Sequence, residues 1–467
     1  MKDLLTIAVI LTAAGSAVAQ CSEVAGNYYC SEVQQIIYNN LGFSGTYNAV
    51  TSFNSNGQCS STPQSFSGSL APLDEELSFH FRGPVNLKQF GVYTLGGSTN
   101  QKRDADIDIR QFHGHHVHEL EERDLVVEYV YVTQTVIDVN GVPTTVGVEP
   151  VPSTSSLPSS SSPAPIPSSS SSASAQAAGG AVGFDAVNVA GGSSSTTSTS
   201  TVAVSTSAVS SSTAAPAASG SGWEQIAYYN SEQGVANGVT FMNNLGGGGS
   251  GVWDILFGNS VSFAGTNGLT CAASPQVLED TLVPSDNEVI IFSNSECSGN
   301  DCGFFRPGIP AYHGFSGANK IFVMEFGMPT DTISDASIYN FDMPAIWLLN
   351  AQIPRTLEYG AASCSCWPGC GEFDVFEVLN SGNDMLTNHL HDAQGTNVAT
   401  TGGGGSSDYF ARPLSGTMKA AVIFNGSSGS ITITQLDDST TFPASISEDT
   451  VNQWISANSG SQSYASI

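Results

Sequence analysis

The sequence has few charged residues, and very few of them are basic. Only 11% of its 467 residues are charged, against about 25% in typical soluble proteins. Lys and Arg number 12 against 41 Asp and Glu, which gives a formal net charge of −29. A chain of this charge repels the phosphates of nucleic acids and the head groups of anionic membranes. The composition therefore argues against nucleic acid as a partner.

The sequence also lacks an apolar run long enough to cross a bilayer. No segment reaches the roughly 18 apolar residues that a membrane helix needs, so no membrane span is expected. The N-terminus instead has Lys2, an apolar run of about ten residues and the small residues Ala17-Val18-Ala19, which is typical of a secretory signal peptide. We expect cleavage after residue 19 and secretion of the remainder. The polar C-terminus has no lipid-anchor signal.

The cysteines are consistent with secretion. Three lie early and six lie late: Cys21, Cys30, Cys59, and Cys271, Cys297, Cys302, Cys364, Cys366, Cys370. Outside the cell, disulfides are favoured over a zinc site built from the last three cysteines. The late set could form three bridges, whose pairing stays open. One early cysteine is then unpaired or bridged elsewhere.

Composition divides the mature chain into three parts. Residues 20–100 mix strand-like runs with Gly, Asn and Ser, which predicts a small, β-rich, Gly-rich N-terminal module. Residues 101–221 form a linker with the dibasic pair Lys102-Arg103, suited to a processing protease, and the cluster His113, His115, His116, His118. Metal capture by that cluster is possible, but a solvated loop is favoured. From about residue 150 the linker is rich in Ser, Thr, Pro and Ala, which indicates a disordered, O-glycosylated stalk between two modules.

Residues 222–467 contain all five tryptophans and short β-branched runs such as KIFVMEFGMP and GSITITQL. Gly, Pro and Asn interrupt these runs at intervals of about ten residues. The pattern predicts one large antiparallel β-sandwich, and the chain is therefore classed as all-β. Asn425 begins an Asn-Gly-Ser triplet, and we expect a glycosylated surface position there.

The segment WPGCGEFDVFE (367–377) places three acids among apolar residues, where a charge needs a reason. Strand alternation puts Glu372 and Asp374 on one face but turns Glu377 to the other. A one-residue bulge near Val375 and Phe376 would return all three to one face. Carboxylates held close together push their pKa values apart, which separates an acid from a nucleophile. Retaining glycoside cleavage needs such a pair.

Two resemblances sharpen this reading. MPAIWLLN (343–350) and WPGCGEFDVFE resemble the laminarinase branch of the family-16 glycoside hydrolases. The resemblance implies a concanavalin-like jelly roll, with Glu372 as nucleophile, Asp374 assisting and Glu377 as acid/base. Phe373 departs from the aliphatic residue usual in that pattern. Segments that include YYNSEQGVANGVTFMNNLGGGGSGVWD and SSDYFARP are similar to the fungal target-of-SBF cell-wall proteins, a family classed with β-1,3-glucan hydrolases.

Five further residues have two readings each. Trp347 and Trp367 would stack on sugar rings or pack in the core. His391 resembles a cleft-lining histidine of the family-16 enzymes, with a plain surface histidine as the alternative. Arg306 and Arg355 would bind sugar hydroxyls or neutralise acids, and neutralisation is favoured.

The sequence thus predicts a secreted fungal cell-wall enzyme, either an endo-hydrolase or a transglycosylase of β-1,3-glucan, with a retaining double-displacement mechanism. We expect a monomer that needs no cofactor. Calcium binding by the three acids is a rival, but their strand offers too few oxygens for the usual ligand number of about six to eight. The other rival is a catalytically weak glucan-binding or structural wall protein.

Overall fold

The computed structural model describes residues 21–96, 222–333, 337–360, 362–394, 402–465 and 467. The predicted signal peptide, the dibasic pair, the histidine cluster and the stalk lie outside these residues. Within them, no helix is long and apolar enough to cross a membrane.

The first described segment contains these strands: β1 (Ser22–Val24), β2 (Asn27–Tyr29), β3 (Gln35–Tyr38), β4 (Gly45–Phe53), β5 (Cys59–Phe66), β6 (Leu77–Arg82) and β7 (Asn86–Leu95). The strands between residues 222 and 350 are β8 (Gly222–Asn230), β9 (Val235–Asn237), β10 (Val239–Asn243), β11 (Trp253–Asp254), β12 (Gly258–Asn259), β13 (Ser262–Ala264), β14 (Cys271–Ala272), β15 (Glu288–Ser293), β16 (Asn319–Gly327) and β17 (Ala345–Asn350). They are followed by helix α1 (Gln352–Thr356), a 3₁₀ turn (Ala362–Cys364), β18 (Glu372–Glu377), β19 (Met385–His391), β20 (Gly404–Ala411), β21 (Met418–Asn425), β22 (Ser430–Leu436), β23 (Ser445–Ser447), α2 (Glu448–Ala457) and β24 (Gln462–Tyr464).

Two large sheets pack face to face. The front sheet has the strand order β14-β13-β10-β15-β6-β17-β18-β19-β20. The back sheet has the order β23-β8-β7-β16-β21-β22-β3-β24, with β9 paired to β8. The described pairs are antiparallel apart from β24, which runs parallel to β3. The predicted all-β sandwich is confirmed.

Aromatic side chains fill the space between the sheets. Phe79 and Phe81 point into this core from β6, and Phe322 meets them from β16 of the back sheet. Phe373 and Phe376 of β18 are also fully buried there. Because burying one phenylalanine side chain stabilises a fold by about 1.5–3 kcal/mol, this layer holds β6 and β18 firmly in place.

Strands of the N-terminal segment lie inside both sheets. In the front sheet β6 lies between β15 and β17, and in the back sheet β7 lies between β16 and β8. Residues 20–100 are thus β-rich, as predicted, but they do not fold as a separate module. Together with residues 222–467 they form one compact unit. Composition could not reveal this, because it does not encode which strands share a ladder.

The two ends of the linker lie side by side. Leu95 at the end of β7 pairs with Trp223 of β8, and the amide of Gly96 donates to the carbonyl of Gly222 at 2.6 Å. Residues 97–221 therefore connect two adjacent antiparallel strands of one sheet. They do not separate two modules, contrary to the expectation from composition.

Four disulfides are formed, and they join Cys21 to Cys30, Cys59 to Cys364, Cys297 to Cys302, and Cys366 to Cys370. Cys271 is a free thiol. Three bridges within the late set do not form, because one late cysteine pairs with the early Cys59. The three cysteines of the zinc alternative are all engaged in bridges.

Two N-terminal ribbons border the face of the front sheet that points away from the core. The β4–β5 ribbon packs Tyr47 against Leu349 and Cys366 and is tethered by the bridge from Cys59. The β1–β2 hairpin is closed by its own disulfide and lies along β20, where the amide of Cys30 donates to the carbonyl of Ser407 at 2.8 Å. We call the face between these ribbons the open face.

Candidate active site

A bulge in β18 brings its acids to one face. Asp374 pairs with Trp347 of β17, and Phe376 pairs with the preceding residue, Ile346, so Val375 has no partner. The pairing of β18 with β19 shifts at the same place. Such an extra residue reverses the alternation of everything that follows it. The bulge predicted from the parity of the acids is confirmed.

Burial along β18 follows the bulge. Its three apolar residues are fully buried in the core: Phe373, Val375, Phe376. Its three acids are partly exposed on the open face: Glu372, Asp374, Glu377. A straight strand would have put the last acid into the core, where an unpaired carboxylate is costly.

Cross-strand pairing assembles further polar side chains around these acids. Glu372 pairs with His391 of β19, and Asp374 pairs with His389. On the other side, Trp347 separates Asp374 from His80 of β6. The open face therefore carries a row of side chains across four neighbouring strands, with titratable groups on β6, β18 and β19 and Trp347 on β17.

Glu372 is held by a tryptophan. The indole Nε1 of Trp367 donates to Glu372 Oε2 at 2.5 Å, and the Trp367 side chain remains 42% exposed. Burial, and after it the nearby Asp374, raise the pKa of Glu372 to about 8, while the indole bond opposes the rise. The indole fixes one carboxylate oxygen and leaves the other free to react.

Asp374 lies between the two glutamates in the chain, and His391 contacts it. His391 Nε2 is 3.3 Å from Asp374 Oδ2, and one ligand-type atom each from Glu372, Asp374 and His391 lie within 4.8 Å of one another. Burial and the charge of Glu377 raise the pKa of Asp374 well above its usual value. The structure thus places His391 against the acids, as the cleft-lining reading requires.

Glu377 has a basic neighbour, Arg82, that the sequence analysis did not predict. Arg82 Nη2 on β6 is 3.8 Å from Glu377 Oε1, and Arg82 Nε donates to the carbonyl of Met343 at 3.2 Å. Burial raises the pKa of Glu377, while Arg82 and His391 oppose the rise. Since three close carboxyl groups resist simultaneous ionisation, the cluster can hold both a proton donor and a carboxylate at one pH.

Trp347 is packed rather than free to stack. Only 4% of it is exposed; its ring stacks on His80 with centroids 5.0 Å apart, and Arg82 lies 5.9 Å over it. Of its two readings, the packing one describes the structure, because the β4–β5 ribbon covers this part of the face. Trp367 keeps the exposure that a sugar-stacking residue needs.

A second acidic group lies beside the row and was missed by sequence reasoning. His80 Nδ1 is 2.7 Å from Glu288 Oε1 and 3.3 Å from Glu358 Oε1. The amide of Asn244 donates to both carboxylates, and the Tyr359 hydroxyl donates to Glu288 at 3.0 Å. The alternation in LSFHFR does place His80 and Arg82 on one face. Because β6 was predicted to belong to a separate N-terminal module, the sequence did not connect these two residues with the acids of β18.

The remaining predicted residues lie outside this cluster. Arg306 Nη2 is bound to Asp254 at 2.6 Å, and Arg355 Nη1 to Glu76 at 2.7 Å, so both arginines neutralise acids, as favoured above. Asn425 ends β21, and its Oδ1 accepts the amide of Ser427 at 3.0 Å in the following turn. Its glycosylation stays a prediction.

Family comparisons identify the chain. The family model described as "Cell wall protein YJL171C/Tos1, C-terminal" matches residues 221–454, and its N-terminal counterpart matches residues 34–95. The chain belongs to the YJL171C/Tos1 family of cell wall proteins. In this chain, the regions matched by the N- and C-terminal models of the family interleave in the same two sheets.

Similar proteins share nearly the whole length. A Candida albicans protein named "Probable circularly permuted 1,3-beta-glucanase TOS1" is 48% identical over 448 residues, which covers 94% of this chain and 93% of that protein. The Saccharomyces cerevisiae protein of the same name is 48% identical over 460 residues, covering 95% and 94%. A relative from Arthroderma benhamiae is 35% identical over 460 residues, covering 96% and 95%. No solved structure matches the chain.

Proposed function

We propose that this chain is a secreted cell-wall enzyme that cleaves β-1,3-glucan at internal bonds with retention of the anomeric configuration. The cleaved glycosyl group passes either to water, which is hydrolysis, or to another glucan chain, which is transfer. The observation that carries the proposal is the bulge in β18, which turns all three of its acids to the open face. The names of the relatives support the substrate. The same names describe a circular permutation. The insertion of the early strands β6 and β7 between late strands agrees with that description.

The first step of the mechanism uses the two glutamates. Glu372 attacks the anomeric carbon, while Glu377 gives its proton to the leaving oxygen. The bond from the Trp367 indole favours the charged form of Glu372 and orients it. Burial raises the pKa of Glu377, which favours the protonated form that a proton donor needs.

Asp374 positions and tunes the nucleophile. Burial and the charge of Glu377 raise its pKa, which favours its neutral form. A neutral Asp374 does not repel the charge on Glu372, and its proton can be donated to a nearby acceptor. In the second step Glu377 takes a proton from the incoming water or sugar hydroxyl, whose oxygen displaces Glu372 from the anomeric carbon.

The place of action in this proposal is the fungal cell wall. The pattern around Ala17-Val18-Ala19 and the four disulfides support secretion, and the family description supports the wall. We expect a monomer with neither nucleic acid nor a cofactor as a partner.

The test uses the full mature chain with laminarin oligosaccharides and follows product lengths by chromatography. We expect shorter products, longer products or both, and at least about a 1,000-fold loss of rate in Glu372→Gln and Glu377→Gln. Glu325→Gln is the matched control, because Glu325 is a partly buried strand glutamate of the back sheet, 17% exposed against 23% for Glu377. Binding of laminarin without any products would refute the enzyme and favour the glucan-binding wall protein.

A further inference from the structure

A polar cavity lies on the open face beside Glu377. Its volume is about 280 Å³, and the β1–β2 hairpin forms one wall through Asn27 and Tyr28. The opposite wall is made by Thr387 and His389 of β19 and by the edge strand β20. We call this cavity the hairpin pocket.

The hairpin pocket is continuous with the catalytic row. Thr387 pairs with Glu377 and donates its hydroxyl to the Glu377 carbonyl at 3.2 Å. His389 pairs with Asp374, and its ring stacks on that of His391 with centroids 6.3 Å apart. The pocket therefore begins one strand away from the proposed acid/base.

The wall formed by the hairpin is firmly anchored. The Cys21–Cys30 disulfide closes the hairpin at its base, and the Tyr29 hydroxyl donates to Asn380 Oδ1 at 3.3 Å. The side-chain amide of Asn27 donates to the same oxygen at 3.3 Å. A wall fixed from both ends is preorganised, which lowers the entropic cost of binding a ligand.

The lining has the chemistry of a sugar site. Tyr28 is 59% exposed and offers an aromatic face, and the polar residues Thr387 and His389 line the other side. Burial, and then His391, lower the pKa of His389, so the neutral imidazole can both donate and accept hydrogen bonds. A volume of about 280 Å³ is near the lower limit of ligand pockets, which suits a single sugar ring.

We propose that the hairpin pocket binds one glucosyl residue of an acceptor glucan chain, next to Glu377. This rests on the proposed function, because the acceptor gains a role only if a glycosyl-enzyme forms. The acceptor hydroxyl oxygen forms a bond to the anomeric carbon and passes its proton to Glu377. The bond from that carbon to Glu372 breaks, and its electron pair returns to the carboxylate. An occupied hairpin pocket thus favours transfer over hydrolysis.

The experiment measures binding and transfer separately. In the full mature chain made inactive by Glu372→Gln, laminaribiose binding is titrated by calorimetry with and without Tyr28→Ala. We expect Tyr28→Ala to weaken binding at least about fivefold, because a sugar ring loses its aromatic platform. Tyr464→Ala is the matched control, since Tyr464 is also 59% exposed but lies on the back-sheet edge strand β24; no change is expected.

In the active chain, the ratio of transfer to hydrolysis is measured at a fixed laminaribiose concentration. Tyr28→Ala should lower this ratio as it lowers the affinity, and Tyr464→Ala should leave the ratio unchanged. His389→Gln provides a second variant on the opposite wall and should also lower affinity and ratio. Equal laminaribiose affinity in all the variants would overturn the hairpin pocket, whether or not the wild type cleaves glucan. A Tyr28-dependent affinity in a chain that never turns over glucan would keep the pocket and refute the proposed function.

Discussion

Glu372 is half-buried, and its surroundings disfavour its ionised form. Burial and Asp374 raise its pKa to about 8, from an ordinary value near 4.5. Between these two values the folded chain binds more protons than the unfolded chain, so this group makes stability fall as the pH rises. Ionising Glu372 in the folded chain is therefore costly, and the cost grows as the pH rises towards 8.

Glu372→Gln removes this cost while keeping the shape of the side chain. We expect the variant to be more stable than the wild type by about 2 kcal/mol at pH 8, with the difference shrinking towards pH 4.5. Thermal unfolding at a series of pH values measures this. The gain in Tm should disappear at low pH, and Glu325→Gln should show no such trend. A gain that is the same at every pH would refute the electrostatic cause.

Lys320 is a basic residue buried in the core. Its side chain is fully buried, and Nζ donates to the carbonyls of Leu73, Glu75 and Phe315 at 2.9–3.0 Å. Burial lowers the pKa of Lys320 to about 7. The three acceptors belong to turns next to the ends of β6 and β16, so this residue ties together the loops that enter both sheets.

Lys320→Met removes a donor from three carbonyls, of which that of Phe315 still accepts the amide of Leu77. We expect a loss of about 3 kcal/mol in the free energy of unfolding, measured with urea. Lys88→Met is the control, because Lys88 pairs with Asp280 at 2.8 Å on the surface. The control should cost less than about 1 kcal/mol. Equal losses in the two variants would show that the buried carbonyls do not depend on the ammonium group.

At the scale of the element, the bulge in β18 decides where Glu377 points. Deleting Val375 leaves Glu-Phe-Asp-Phe-Glu, which alternates regularly and keeps all three acids on the open face. Inserting an alanine after Val375 gives Glu-Phe-Asp-Val-Ala-Phe-Glu, which in a straight strand also keeps the three acids on one face. The insertion, however, places Glu377 two residues further along the strand than the deletion does, about 7 Å further from Glu372.

We therefore expect the deletion to fold and keep activity on laminarin about 100-fold above that of the insertion. The deletion should still lose about 1–2 kcal/mol of stability, because a buried valine is removed from the core. Near-ultraviolet circular dichroism checks the packing of both variants, and initial rates compare their activities. Equal activity in two folded variants would contradict the role assigned to the position of Glu377 along this strand.

At the scale of the whole molecule, the linker connects two neighbouring antiparallel strands, β7 and β8. Its ends are hydrogen-bonded neighbours, so a two-residue Asn-Gly turn could replace residues 97–221. We expect the shortened chain to fold, to keep its activity and to gain up to roughly 3 kcal/mol from the lower cost of loop closure. Urea unfolding and laminarin cleavage measure the two effects.

Truncation gives the opposite expectation. A chain that starts at residue 222 lacks β3, β6 and β7, all three of which are internal strands of the sheets. It should not unfold cooperatively, and it should show no activity. A folded and active chain of residues 222–467 would contradict the interleaved architecture and restore the separate module suggested by composition.

Local patterns were sufficient for part of the fold and site. Strand-like alternation and Gly-rich turns predicted the sandwich, and the spacing of Glu372, Asp374 and Glu377 predicted the bulge between them. Alternation depends only on the residues next to each other in the chain, so it can be followed without knowing the partner strands. The preference for acid neutralisation by Arg306 and Arg355 likewise followed from the scarcity of positive charge.

What the sequence by itself determined is therefore the class of structure and the shared face of the acids. Only the tertiary structure decided that β6 lies beside β17, which brings His80 and Arg82 to the same face. It also decided that Cys59 bridges to Cys364 and that the two linker ends meet. These facts depend on pairings between strands far apart in the chain. The local alternation of residues is compatible with many such pairings and registers. Packing of the whole core selects one of them.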